Sequence, residues 1–170
     1  MTVLYEDNHV IIVNKAPGEI VQGDKTGDTP LSDTVKAYLK EKYQKPGNVF
    51  LGVAHRLDRP VWGLVMFAKT SKALSRLNDM FRDGSVHKTY WAITKKRDIP
   101  AQGTLEHWLV RNERQNKSYA YDHEVPKSKK ATLRYRLLSQ SDNYMLLEIQ
   151  LLTGRHHQIR CQLAAMGCPI

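Results

Sequence analysis

Cysteine is scarce in this sequence: there are two among 170 residues, Cys161 and Cys168, close together. Two thiols so placed cannot make the disulfide framework of a small secreted fold, and both are expected to be reduced. No apolar run approaches the roughly 18 residues that a membrane helix needs. The segment "MTVLYEDNHV" lacks the basic start and apolar centre of a signal peptide. These absences predict a soluble, cytoplasmic protein without membrane contact. His156, His157, Cys161 and Cys168 are the one group that could gather zinc, but their spacing matches no common zinc pattern and helix positions account for them, so no metal is expected. A glycine-rich phosphate loop and a dinucleotide fingerprint are missing too, and no cofactor is expected.

What is present is enough apolar residue, 41%, for one domain with a real core. The net charge of +9 is uneven: residues 1–54 carry 6 basic against 7 acidic side chains, and residues 55–170 carry 20 against 10. A localised basic excess is the footprint of a polyanion-binding protein, although a solvated basic face gives the same count.

Along the chain, "TVLYEDNHVIIVNKAPG" reads as a hairpin around Glu6-Asp7-Asn8, closed by Pro17-Gly18. Thr29 is the expected N-cap of a helix with Pro30 at its first position and Leu31, Val35 and Leu39 on one face, ended by "KPGN". "VFLGVAHRLD" reads as a strand entering a charged cluster and "GLVMFAKT" as a strand leaving it, so the cluster is expected in a loop on a rigid scaffold. A helix over 71–82 follows, capped by Thr70 and stopped by Gly84, with Leu74, Leu77 and Phe81 on one face. "VHKTYWAIT" is another strand.

Residues 95–130 look like a basic insertion with at most weak strands. In "ATLRYRLLS", Ala131, Leu133, Tyr135 and Leu137 alternate with Thr132, Arg134 and Arg136, the period of a half-buried strand. "YMLLEIQLLTG" is a further strand, and a helix is expected from about His156 to Met166. The order predicts a single α+β domain over 1–170, with a mixed, mostly antiparallel sheet and flanking helices.

Three constellations carry chemistry. In His55-Arg56-Leu57-Asp58-Arg59, the flanking positive charge favours the carboxylate anion, which suits a nucleophile or electrostatic partner better than a general acid. A salt-bridged surface turn has the same spacing. In Lys88-Thr89-Tyr90-Trp91, adjacent aromatics on a strand point to opposite faces, so one fills the core while the other looks into a cleft and stacks on a base. Strand aromatics are more often simply core. In "LLTGRHHQIRCQLAAMG", Arg155, His156, His157, Gln158 and Arg160 crowd a helix start, where N–H groups attract anions. Capping and surface charge are the plainer account.

Together these motifs resemble the RluA-type RNA pseudouridine synthases. "HRLDRPVWGLVMFAKT" is similar to the signature H-R-L-D-x-x-T-S-G-L with its following strand, "HKTYWAI" to the K-x-Y strand, and "LLTGRHHQIRCQLAAMGCPI" to T-G-R-x-H-Q-I-R with its G-x-P-I ending. The resemblance implies a pseudouridine synthase catalytic domain, with Asp58 as the catalytic aspartate, Tyr90 stacking on the target base and Arg160 pairing with the aspartate. It makes Arg56 the residue that helps flip the base or fills its place, and Arg155 and His157 RNA-contacting, site-shaping positions. His55, Arg59 and Lys88, inside the same motifs, complete the expected RNA-contacting set. Two departures stand out: Val61-Trp62 replace Thr-Ser, and family members continue past G-x-P-I. A C-terminally truncated domain without a separate S4-type RNA-binding domain is therefore expected.

The implied reaction is an isomerisation of specific uridines in ribosomal or transfer RNA by a monomer without cofactor: the bond from uracil N1 to ribose C1′ breaks, the base rotates, and C5 rejoins C1′. A base within RNA structure must first be extruded, which suits a basic groove with an aromatic platform. A glycoside hydrolase would need two carboxylates, and the motifs bring only basic groups beside Asp58. The alternative of another class is a catalytically inactive RNA-binding module in which Asp58 merely braces arginines.

Overall fold

Two antiparallel sheets, each with its own helices, make up the computed structural model, which describes residues 1–170. The chain divides into two units, Met1–Ser85 and Val86–Ile170. None of the helices is long and apolar enough to cross a membrane.

In the first unit, strands β1 (Thr2–Glu6) and β2 (Val10–Lys15) form the expected hairpin, followed by helix α1 (Leu31–Lys42). Strands β3 (Gly52–Val53) and β4 (Gly63–Ala68) and helix α2 (Ser71–Asp83) complete it, with sheet order β1-β2-β4-β3. Strand alternation splits the sheet's side chains. Ile11 and Val13 of β2 and Val65 and Phe67 of β4 join Leu31, Val35 and Leu39 of α1 in one core. Val10 and Met66 join Ala73, Leu74 and Leu77 of α2 in another. Each such aliphatic side chain contributes about 1.5–3 kcal/mol on full burial. Thr70 caps α2 by accepting from the Ala73 N–H (3.1 Å), and Gly84 ends it at φ 84°, as predicted.

Two expectations here need correction. Thr29 is not the cap of α1: Pro30 holds that position in extended backbone, with no side-chain cap. The reason is that the first-turn N–H groups of Leu31 and Ser32 already donate to the Ile20 and Val21 carbonyls (2.8 and 3.1 Å). The strand read across "VFLGVAHRLD" shrinks to Gly52–Val53, because the chain leaves the sheet before the charged cluster.

The second unit comprises β5 (Lys88–Lys95), β6 (Gln102–Asn112), β7 (Lys117–Tyr121), β8 (Lys129–Gln140), β9 (Tyr144–Leu151) and helix α3 (Gln158–Ala165). The sheet order is β5-β9-β8-β6-β7. Ala92, Leu133, Tyr135, Met145, Leu147 and Ile149 form one face and pack with Leu163 of α3, while Arg134 and Arg136 point out to solvent as predicted. The supposed basic insertion is in fact a hairpin of two strands, and β6 pairs with β7 on one side and β8 on the other. Gly103 explains part of this: a Cβ there would meet the Tyr135 ring at 2.8 Å, so β6 lies against β8 only with glycine at that point. Helix α3 begins at Gln158 rather than near His156, since His157 is the cap in left-handed backbone at φ 52°.

Candidate active site

The first charged cluster lies where the sequence put it, in the loop 54–62 between β3 and β4. Leu57 turns inward onto the α1 core. Asp58, half-buried, opens a tight turn in which the Val61 N–H donates to the Asp58 carbonyl (3.0 Å). Arg56 is exposed and has no acidic partner.

What fixes the turn is a residue that sequence reasoning missed. Lys15 is 0% exposed. Its ammonium donates to the carbonyls of Ala16 (3.1 Å), Arg59 (3.0 Å) and Val61 (2.5 Å). The Gly18 N–H also donates to the Arg59 carbonyl (2.8 Å). Burial pushes the Lys15 pKa down, against the attraction of Glu19 and Asp58, so the same ammonium that holds the turn's backbone sits in the field of Asp58. The signal was available: Ile11, Val13 and Lys15 alternate on the inward side of one strand, and a lysine in that series must have buried partners.

Two neighbours of Asp58 in sequence hold the loop in other ways. Arg59 donates to Asp28 (2.7 Å) and Thr26 (2.8 Å), and its other ion pair is with Asp24 at 3.5 Å. This clips loop 24–28 to the turn. His55 accepts the Met66 N–H through Nε2 (2.9 Å), and its ring lies 4.9 Å from that of Phe81. The imidazole thus ties the loop to β4 and α2.

The second unit presents the other two motifs. Tyr90 is half-buried against the sheet core, whereas Trp91 is 68% exposed on the opposite face, the division predicted for adjacent aromatics. Lys88 is half-buried on the Tyr90 side, and a Cβ on Gly154 would lie 3.5 Å from its ammonium. Burial first, and then the like charge of Arg155, lowers the Lys88 pKa. The structure therefore gathers Lys88, Gly154 and Arg155.

The segment 153–157 is shaped by two buried amides that sequence reasoning also left without a role. Gln158 Oε1 accepts from the Thr153 hydroxyl (2.8 Å) and the Arg155 N–H (2.9 Å). Its Nε2 donates to the Thr132 carbonyl (3.1 Å) and to Gln162 Oε1 (2.9 Å). Gln162 in turn donates to the carbonyls of Leu105 and Ala131 (3.0 and 3.2 Å). Arg155 donates to the Lys130 carbonyl through Nε (3.0 Å) and remains exposed. His156 and His157 stack with centroids 3.7 Å apart, and Ser118 joins His156 to β7. Arg160 is half-buried on α3. Burial raises the Cys161 pKa, which keeps that thiol protonated.

Asp58, Arg56, Arg59 and His55 thus belong to the first unit, and Tyr90, Lys88, Arg155, His157 and Arg160 to the second. Comparison with known proteins gives one consistent result. The family model described as RNA pseudouridylate synthase matches residues 9–165. The chain is 32% identical over 169 residues to "Ribosomal large subunit pseudouridine synthase C" of Rickettsia prowazekii, covering 99% of this chain and 54% of that one. It is 30% identical over 181 residues to "Ribosomal large subunit pseudouridine synthase D" of Borreliella burgdorferi, covering 100% of this chain and 52% of that one. Among solved structures, human RNA pseudouridylate synthase domain containing 4 superposes with a TM-score of 0.83 at 25% identity, covering 99% of this chain and 66% of that one. The chain spans about half the length of the curated relatives it matches.

Proposed function

The chain belongs to the RNA pseudouridylate synthase family, and from that premise we propose that it isomerises specific uridines of ribosomal or transfer RNA to pseudouridine. The observation that carries this reading is the family match across residues 9–165 together with Asp58 on a turn held by a buried ammonium. A carboxylate on a fixed backbone begins in position for attack, so little of the barrier goes into ordering it.

In this reading an Asp58 carboxylate oxygen attacks the nucleotide, at uracil C6 or at ribose C1′ as the bond to N1 breaks. The base turns, C5 bonds to C1′, the bond to the Asp58 oxygen breaks and returns its electron pair to the carboxylate, the C5 proton leaves, and N1 takes up a proton, so the product has the same atoms as the substrate. Tyr90 stacks on the base and assists removal of the C5 proton, and Arg160 pairs with the aspartate. Arg56 takes the place of the extruded base. Lys88, Arg155 and His157 hold the strand's phosphates, and His55 and Arg59 support the site through the loop. The basic excess supplies the sequence-independent part of RNA affinity. We assign the activity to a cytoplasmic monomer working without metal or cofactor, on a single catalytic domain.

The test is to incubate the chain with total RNA lacking pseudouridine and map new sites by carbodiimide-dependent reverse-transcriptase stops. We expect stops from the wild type and none from Asp58→Ala, with RNA binding retained in both. Wild-type protein that binds RNA and produces no stops would instead establish a non-catalytic RNA-binding module.

A further inference from the structure

The loop that carries Asp58 also carries an indole with no structural employment. Trp62 is 69% exposed, four residues after Asp58, although a tryptophan side chain is ordinarily mostly buried. Its neighbours account for the core without it: Leu57, Val65 and Phe67 pack inward, and Trp62 does not.

Nor is Trp62 on a slack segment. The residue before it is held at both backbone groups, with the Val61 N–H on the Asp58 carbonyl (3.0 Å) and the Val61 carbonyl on the Lys15 ammonium (2.5 Å). The residue after it, Gly63, is already in β4 and paired with Lys15 of β2. The indole therefore departs from the same rigid turn as the Asp58 carboxylate. A rigid aromatic with few rotatable bonds loses little entropy when it is covered, which makes such a residue a strong binding anchor.

Along the same loop, on the other side of Asp58, stands the exposed Arg56 with no acidic partner. An aromatic face and an exposed guanidinium on either side of one carboxylate in the chain are two planar groups on which the bases of a nucleic-acid strand stack. A nucleic-acid strand presents a base face and a negative charge at every nucleotide, so a short segment can occupy both groups together.

We propose that Trp62 stacks on an unpaired nucleobase that neighbours the target uridine, and that this contact biases the enzyme toward uridines with a purine neighbour. Purines offer the larger stacking face, and sequence preferences of this kind arise from stacking strength. The inference rests on the proposed pseudouridine synthase reading for its meaning in catalysis, but the stacking itself is measurable without turnover.

Two measurements test it on the 170-residue chain. The sequence has three tryptophans, so the variant Trp91→Phe/Trp108→Phe leaves Trp62 as the sole indole. Titration with single-stranded RNA 12-mers should quench its emission, more strongly for A-U-A repeats than for oligouridylate. In the second, Trp62→Ala should raise KM on the mapped RNA by about tenfold, the scale of one lost base stack, with kcat within about twofold of wild type. Trp62→Phe should recover most of the loss. Because the side chain is exposed, both variants should melt at the wild-type temperature, so a KM change is not a folding effect. Absent quenching, or a Trp62→Ala enzyme with wild-type KM, overturns the stacking role. Quenching by RNA in a wild type that forms no pseudouridine would sink the proposed reaction and leave the stacking intact.

Discussion

The two units hold their motif loops by different chemistry. The first pins the turn at Asp58–Val61 with a buried ammonium, Lys15, on three carbonyls. The second pins the segment 153–157 with two neutral buried amides, Gln158 and Gln162. The charge counts run parallel to this. Residues 1–85 hold 12 basic and 10 acidic side chains, and residues 86–170 hold 14 and 7. A near-balanced unit has acids available to offset an interior cation, as Glu19 and Asp58 do for Lys15. A strongly basic unit has few, and an interior cation there would add to the repulsion already seen between Lys88 and Arg155. Building the scaffold from amides leaves cations such as Arg155 at the surface, open to the RNA proposed above.

If that contrast is real, breaking the charged brace should hurt most. Lys15→Met removes three hydrogen bonds to carbonyls in a fully buried place, and we expect a loss of about 3 kcal/mol in unfolding free energy. Hydrogen exchange should speed up in the amides of 59–63, and pseudouridine formation should fall with them. A Lys15→Met protein with unchanged exchange in that loop would show that the turn holds itself. Gln162→Leu is the matched lesion in the second unit. It keeps the volume roughly constant but leaves the Leu105 and Ala131 carbonyls and the Gln158 amide short of partners, for an expected loss of about 2 kcal/mol. Its exchange effect should be confined to 103–107, 130–133 and 153–160. Spread of either effect into the other unit would undo the comparison.

How legible these braces were in the sequence follows from how local their determinants are. The caps of helix α2 and the inward Leu77 could be read directly, because Thr70, Leu77 and Gly84 act within one helix. The place of the charged loop between two strands and the exposed Arg134 and Arg136 were likewise legible from neighbours and strand period. The hairpin β6–β7 was hidden because its inward series, Gly103, Leu105, His107 and Leu109, mixes a glycine and a histidine with the leucines. Gly103 is there to admit Tyr135, a residue 32 positions away, and no local rule reports that. Lys15 is similar: its acceptors on Arg59 and Val61 lie 44 and 46 positions along the chain. The amides of Gln158 and Gln162 look like ordinary helix residues until the carbonyls of β6 and β8 are placed beside them.

A smaller effect separates the units by pH rather than by mutation alone. Glu6 of β1 has a side chain 7% exposed and pairs with Lys42 and Lys69, both at 2.8 Å. Burial by itself would raise its pKa, but hydrogen bonds from Lys42, Lys69, Tyr43 and Tyr38 prevail and bring it down from 4.5 to about 2. A carboxyl whose folded pKa is depressed stabilises the fold fully above its unfolded value, and that contribution disappears as pH falls through the folded value. The window is therefore about pH 4.5 down to about 2. Because Lys42 is 43% exposed, solvent screening keeps the expected contribution near 1 kcal/mol. Urea midpoints of wild type and Glu6→Gln, compared at pH 6 and pH 2.5, should converge at the lower pH, with the difference traced by hydrogen exchange to residues of the first unit. The brace in the second unit is made of groups that do not titrate there, so exchange in 153–160 should show no matching difference between the two proteins. A Glu6→Gln effect that persisted undiminished at pH 2.5 would mean that the carboxylate charge is not what holds β1 to α1 and Lys69.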